Sequence, residues 1–177
     1  MRTDQNYIRC YSGKKFWPLD PRPEDVDIID IAHALSNQCR FTGHVKDFYS
    51  VAEHSLAVSF ACPRELALVG LLHDADEAYL VDLAAPVKHD PQMAFFVECG
   101  QNILKAVFDS FGLDSTLISQ IKAWDRADYE RERNYLMPTG TGYGMLTMSP
   151  KEAERNFLER FYRLRCEAPT SNDFGTQ

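Results

Sequence analysis

Residues 64–80 read RELALVGLLHDADEAYL, and this stretch decides what kind of fold the chain encodes. Leu66, Val69, Gly70 and His73 share one stripe at helical spacing, the pattern of a helix face turned toward a core. From His73 onward the stripe is chemically wrong for a core. Glu77 follows His73 at i+4 on the same face, and Asp74 sits about 100° around the helix, an i, i+3 neighbour of Glu77. Three ionisable groups beside LVGLL cost several kcal/mol to bury unless something offsets their charge.

Working outward, the same period recurs on both sides. In PEDVDIIDIAHALSNQ (23–38) the apolar Ile28, Ile31, Ala32 and Leu35 share a face, with Glu24, Asp25 and Asp27 in the first turn, where acids complement the helix dipole. His33 on this helix reads as structural. Ser50 and Glu53 form the sequence signature of a capping box at the head of SVAEHSLAVSFA (50–61). Pro63 suits the first turn of a third helix running through residues 64–80. A fourth, PQMAFFVECGQNILKAVFDSFG (91–112), ends at Gly112. Asp114 or Ser115 begins TLISQIKAWDRADYERERNYLM (116–137), which Pro138 stops, and Ser149-Pro150 opens KEAERNFLERFYRLR (151–165).

Between these lie a loop over 37–47 that breaks at Gly43 and a glycine-rich connector over 138–148. The connector's glycines follow no strand and open no helix, so a nucleotide-binding glycine loop is not expected there. Residues 1–24 mix Phe16 and Trp17 with Pro18, Pro21 and Pro23, the composition of an extended arm or short hairpin. No internal repeat and no strand-like alternation of any length occurs. The expectation is an all-α bundle of about six helices over residues 25–166, preceded by the arm and followed by a flexible tail over 167–177.

With 19 Lys and Arg against 26 Asp and Glu, the 177-residue chain carries a net charge of −7. That balance argues against a non-specific binder of nucleic acid, whose affinity rests on clustered cations, and leaves small anionic ligands open. Five cysteines, odd in number and never in a CxxC pair, read as reduced thiols. The polar N-terminus and the lack of any apolar run near ~20 residues point to a cytoplasmic protein without a membrane span.

Two further polar residues fall on apolar faces. His54 shares its face with Val51, Val58 and Ala61, and Asp125 lies with Ile118 and Tyr129, one turn after Lys122. Asp128, which follows Leu117, Ile121 and Trp124, is the alternative on that helix, and periodicity leaves the two open. Singly, an inward His or Asp is more often a hydrogen-bonded core residue than a ligand. Together, two His and two Asp suit a divalent metal with positions left for water or substrate. The cation would also neutralise the buried carboxylates.

His54, the pair His73-Asp74 and Asp125, set in AEHSLAVS, LLHDADEAYL and IKAWDRA with LAAPVK between them, resemble the H…HD…D signature of the HD-domain metal-dependent phosphohydrolases. The likeness spans roughly residues 20–137. It is nearest to the small nucleotide-acting branch, with its bacterial 5′-deoxynucleotidases and phage deoxyadenosine triphosphohydrolases. The resemblance implies an HD-domain helical bundle with His54, His73, Asp74 and Asp125 as ligands to one divalent ion (Zn, Co or Mn, with Mg as a further candidate), and it selects Asp125 over Asp128. It makes Glu77 the acid beside the metal-bound water and Asp82 a second acid near the site. Arg40 matches a phosphate-binding arginine, Phe41 the bulky residue that excludes a ribose 2′-hydroxyl, and Lys88 and Lys122 match cations facing the phosphates. His44, in the Arg40 loop, is a further candidate for substrate contact.

The implied activity is hydrolysis at the α-phosphate, first of dATP or another dNTP to deoxynucleoside and triphosphate. The alternatives are release of phosphate from a dNMP and a non-catalytic nucleotide-binding module. Only His89 follows the HD pair, which favours one metal over two. Relatives of this kind assemble as dimers or hexamers, and neither nucleic acid nor a membrane is an expected partner.

Overall fold

The computed structural model describes residues 2–142 and 145–167. Their architecture is all-α: seven α-helices and several short 3-10 turns, with one antiparallel pair of two-residue strands. Of the tail expected over 167–177, Glu167 is instead the last residue of a helix, and residues 168–177, with Tyr143 and Gly144 of the connector, lie outside the described residues. Helix α1 (Ile28–Asn37) starts at Asp27, whose side chain accepts a hydrogen bond from the Ile29 N–H. Asp27 is thus a cap rather than a first-turn residue, and Glu24 and Asp25 fall in a separate 3-10 turn, Pro23–Asp25.

Helix α2 (Val51–Ala61) begins with the capping box read from the sequence: the Ser50 hydroxyl accepts from Glu53 N–H, and the Glu53 carboxylate accepts from Ser50 N–H. This helix is buried nearly all round, because its small residues let α1, α3, α6 and α7 pack against it from every side. Its one polar cap is therefore the accessible lever on its stability. Ser50→Ala is expected to destabilise the protein by about 1 kcal/mol, measured by thermal or urea denaturation.

The third helix departs from expectation. A 3-10 turn (Arg64–Leu66) leads into α3 (Ala67–Leu72), which stops before the charged residues, and a second 3-10 turn covers Ala75–Ala78. Asp74, at φ −106° and ψ 20°, is where the chain leaves the helix. The break turns the carboxylates of this segment away from a continuous apolar stripe. Gly70 lets α3 approach α2 closely, since a Cβ there would lie 3.1 Å from Cys62 Sγ and 3.3 Å from Ser59 Cα. That approach brings His73 beside His54.

A short helix not foreseen in LAAPVK, α4 (Ala85–Lys88), follows. Helix α5 (Ala94–Phe111) ends at Gly112, whose φ of 67° is the left-handed cap conformation. Asp114 caps the 3-10 turn Ser115–Leu117 that opens α6 (Ile118–Leu136), and α7 (Pro150–Glu167) closes the bundle against α1, α2 and α3. In the arm, β1 (Ile8–Arg9) pairs with β2 (Lys15–Phe16), and fully buried Phe16 stacks on Tyr79 at 3.7 Å, pinning the arm to the turn that carries Glu77. The five cysteines are free thiols. Among the described residues, no helix is long and apolar enough to cross a membrane.

Candidate metal centre and substrate cleft

His54 from α2 and His73 from the end of α3 meet with ring centroids 5.2 Å apart. Each ring is fixed through Nδ1. His73 Nδ1 lies 2.8 Å from the Gly70 carbonyl, and His54 Nδ1 lies 2.9 Å from Glu132 Oε1 and 3.1 Å from Asp128 Oδ2. Both Nε2 atoms then face the same two carboxylate oxygens. Asp74 Oδ2 is 3.2 Å from His73 Nε2 and 3.7 Å from His54 Nε2; Asp125 Oδ1 is 3.7 Å and 3.1 Å from the same atoms. Nδ1 donated to an oxygen and Nε2 left for the ion is the arrangement of metal-ligating histidines. Ligand bonds of about 2.0–2.2 Å suit donor atoms at this spacing.

Donor atoms of His54, His73 and Asp74 lie within 4.8 Å of one another, a group able to hold a metal ion. His73 Nε2 and Glu77 Oε2 are buried without a hydrogen-bond partner among the described residues. Such orphaned polar atoms are what an ion and its attendant water would satisfy. A second group on the Nδ1 side of His54 consists of His54, Asp128 and Glu132. Asp125 and Asp128, left as alternatives by periodicity, therefore both reach His54, through opposite ring nitrogens.

Burial lowers the basicity of His73, but Asp74 and Asp125 outweigh it and push the imidazole up to about 9. His54 is likewise raised well above its ordinary value: burial and Arg40 oppose the charge, and Asp125, Asp128 and Glu132 overcome them. Glu77 is pushed up to about 9, first by burial and then by Asp74 and Asp82, with Lys88 opposing. Asp74 and Asp125 are held below the carboxylate range by the two imidazoles against the cost of burial, Arg40 adding to the effect at Asp74. Without an ion the centre is thus a cluster of carboxylates compensated by protons.

Two cavities meet at these ligands, and Asp74, Asp125 and Lys88 line both. One, of about 560 Å³, contains Arg40, Phe41, His44, Glu77 and Asp82, so it gathers nearly all the residues singled out from the sequence. The other, of about 690 Å³, holds Lys122 together with Lys88 and Asp76. A Cβ at Gly100 would come within 2.7 Å of Asp76 Oδ2, so a larger residue there would have to displace that carboxylate. Arg40 is buried, and its Nε and Nη2 donate to Glu132 Oε2 at 3.0 and 2.9 Å. Its Nη1 stays 3.9 Å from Asp74 Oδ2. Lys88 Nζ lies 3.5 Å from Glu77 Oε1.

The loop over 37–47 is more ordered than its composition suggests. Arg40–Gly43 forms a 3-10 turn in which Phe41 and Thr42 have φ of 54° and 51°, and Phe41 stacks on Tyr129 at 5.6 Å. Among described residues other than glycine, positive φ occurs at Phe41, Thr42 and Val81, and all three line or adjoin the cleft. Backbone strain of this kind collects at functional sites. Gln38, which sequence reasoning passed over, braces the opposite wall: its amide donates to the Glu77 carbonyl at 2.9 Å and accepts from Asp82 N–H at 3.1 Å. His33, read as structural, pairs with Glu154 at 3.1 Å and stacks on Tyr11, away from these ligands.

No family model matches the chain. It is 32% identical over 169 residues to the uncharacterized protein YfdR of Escherichia coli (strain K12), an alignment covering 88% of this chain and 94% of that one. It is 40% identical over 123 residues to the uncharacterized protein RCAP_rcc00048 of Rhodobacter capsulatus, covering 64% of this chain and 62% of the relative. The near-complete alignment with YfdR shows that the chain belongs to the YfdR family.

Proposed function

We propose that the protein is a metal-dependent phosphohydrolase that cleaves a deoxynucleotide at its α-phosphate. The observation that carries this reading is the pair of imidazoles whose Nε2 atoms face the same two carboxylate oxygens, with both Nδ1 atoms already engaged. A divalent ion held there supplies a Lewis acid for the phosphoryl oxygen and a water acidic enough to attack at neutral pH. Glu77, buried and protonated in the metal-free protein, takes the role of holding or moving the proton of the attacking water or the leaving oxygen. Arg40 Nη1 and Lys88 supply cationic donors to the phosphate, and the Phe41–Tyr129 stack offers an apolar wall to the sugar and base.

The second cavity favours a triphosphate, since Lys122 and Lys88 line it beside the ligands. The contact of Lys88 with Glu77 favours the monophosphate reading, because it draws that lysine back from an extended phosphate chain. One assay tests both. Incubation with dATP and with dAMP in Mn²⁺, Co²⁺ or Zn²⁺ is expected to yield triphosphate from the first or orthophosphate from the second. Background rates on both substrates with every ion would reject the hydrolase and leave the binding module.

Metal loading should also release protons. A raised histidine stabilises the metal-free fold fully below its ordinary value near 6.5, and that contribution is lost as pH rises through about 9. The ion competes with the same protons. Its apparent affinity is therefore expected to rise with pH between about 6.5 and 9. Calorimetry in buffers of different ionisation enthalpy reads the released protons, and a pH-independent affinity would contradict the assignment.

A further inference from the structure

A further cavity, of about 780 Å³, opens between α2, α6 and α7 and shares no lining residue with the two at the metal ligands. Its charge is opposite to that of the protein as a whole. Arg131, Arg160 and Arg163 line it against Glu53 and Glu159, and of the two acids Glu53 is engaged elsewhere. Glu53 is consumed by the helix cap and by Met148 N–H, which donates to its Oε1 at 2.6 Å. Exposed Glu159 has Arg155 as its nearest cation, at 3.9 Å.

Of the three arginines, Arg131 is committed to Asp128 through Nε at 2.7 Å. Arg160 hydrogen-bonds neutral groups, with Nε donating to Ser59 Oγ at 3.1 Å and Nη2 to the Ser59 carbonyl at 3.0 Å, and its guanidinium lies 4.2 Å over the Phe60 ring. Among the described residues, neither Arg160 nor Arg163 has a carboxylate in ion-pair contact. Burial and the repulsion of Arg163 lower the Arg160 guanidinium, and Glu167 opposes them more weakly. Two cations sharing one cavity, one of them held in place by neutral groups, offer hydrogen-bond donors arranged to meet an anion. Apart from Asn156, the rest of the wall is apolar or aromatic and includes Phe60, 65% exposed, and Tyr135, 36% exposed.

We infer that this cavity binds a small phosphorylated molecule with a planar ring, its phosphate on Arg160 and Arg163 and its ring against Phe60 and Tyr135. The volume falls in the range of small-molecule sites, and arginine with an aromatic wall is the chemistry that selects an aryl or heteroaryl phosphate. The site is separate from the metal centre. Arg131 nevertheless links the two, because the Asp128 that it holds faces His54 Nδ1 through its other oxygen.

Calorimetric titration of the full chain with 1-naphthyl phosphate, and with inorganic phosphate as the bare anion, tests this. Arg163→Glu is the chosen variant because the side chain is exposed, so an unchanged thermal melt is expected alongside the binding loss. Arg131 is left intact to spare Asp128 and His54. Binding of the aryl phosphate is expected to weaken about tenfold or more in Arg163→Glu and to be largely kept in Arg163→Lys. Lys88→Ala, which alters only the metal-side cavities, should leave that binding unchanged. Wild-type affinity in Arg163→Glu, or loss in Lys88→Ala alone, would overturn the assignment. The readout is binding rather than hydrolysis, so absence of phosphohydrolase activity would not be mistaken for failure of this site.

Discussion

An Asp74→Asn protein is expected to purify without its divalent ion and to show no hydrolysis above background. Asp74 Oδ2 is the oxygen within 3.2 Å of His73 Nε2, 3.7 Å of His54 Nε2 and 3.9 Å of Arg40 Nη1. Asparagine keeps the volume and removes the negative charge on which all three cations converge. Loss of an outer partner of a metal ligand typically costs 10–100-fold in affinity, so loss of a ligand's charge is expected to cost at least about 100-fold. His73 should fall in basicity as well, because Asp74 is the largest influence raising it. Elemental analysis after dialysis, read beside turnover of dATP and dAMP, measures both effects. Full metal retention in Asp74→Asn would move the ion to the Nδ1 side of His54, where Asp128 and Glu132 form the competing group.

Why the candidate ligands could be found in the sequence, and their supports could not, follows from what periodicity reports. It reports which residues face inward, so His54, His73 and Glu77 stood out as polar groups on apolar faces, and the two capping signals at Ser50 and Ser149 named helix starts to within a residue. It does not report where a helix will yield. Residues 73–80 keep helical spacing, yet α3 ends at Leu72, and the chain leaves the helix at Asp74 before the 3-10 turn Ala75–Ala78, so His73, Asp74 and Glu77 stand at angles that one continuous helix would not give them.

Nor does periodicity rank charges within a charged helix. Glu132 sits in DRADYERERNYL and reads as one more solvated acid, but it is fully buried between Arg40 and His54. A signal was available: Asp125, Asp128 and Glu132 stand at i, i+3 and i+7, one face of α6, and all three carboxylates reach the same imidazole. Positive φ at Phe41 and Thr42 had no such signal, since neither residue type favours the left-handed region. Gln38 was hidden for another reason. Its two hydrogen bonds go to main-chain atoms near residues 77 and 82, which only the folded chain brings within reach.

Glu132→Ala is expected to be the most destabilising single change in the centre, costing about 3–5 kcal/mol, the usual consequence of removing one partner of a buried ion pair. For a chain of this size that corresponds to a fall in Tm on the order of 10 °C, read by differential scanning calorimetry. The cause is specific to what Glu132 accepts. Its Oε2 takes Nε and Nη2 of Arg40, and its Oε1 faces His54 Nδ1, so truncation leaves a buried guanidinium without its hydrogen-bond acceptor and His54 Nδ1 with Asp128 alone. Glutamine does not repair this. Both sides of the carboxylate meet donors, and an amide must present its NH₂ to one of them. Glu132→Gln should therefore lie close to Glu132→Ala in stability. Adding Arg40→Met to Glu132→Gln is expected to recover part of the loss, because the guanidinium that the amide cannot satisfy is gone, with a coupling of about 0.5–3 kcal/mol between the two changes. Strict additivity would show that Glu132 acts on each neighbour separately, and not as the brace that holds Arg40 and His54 in one fixed relation.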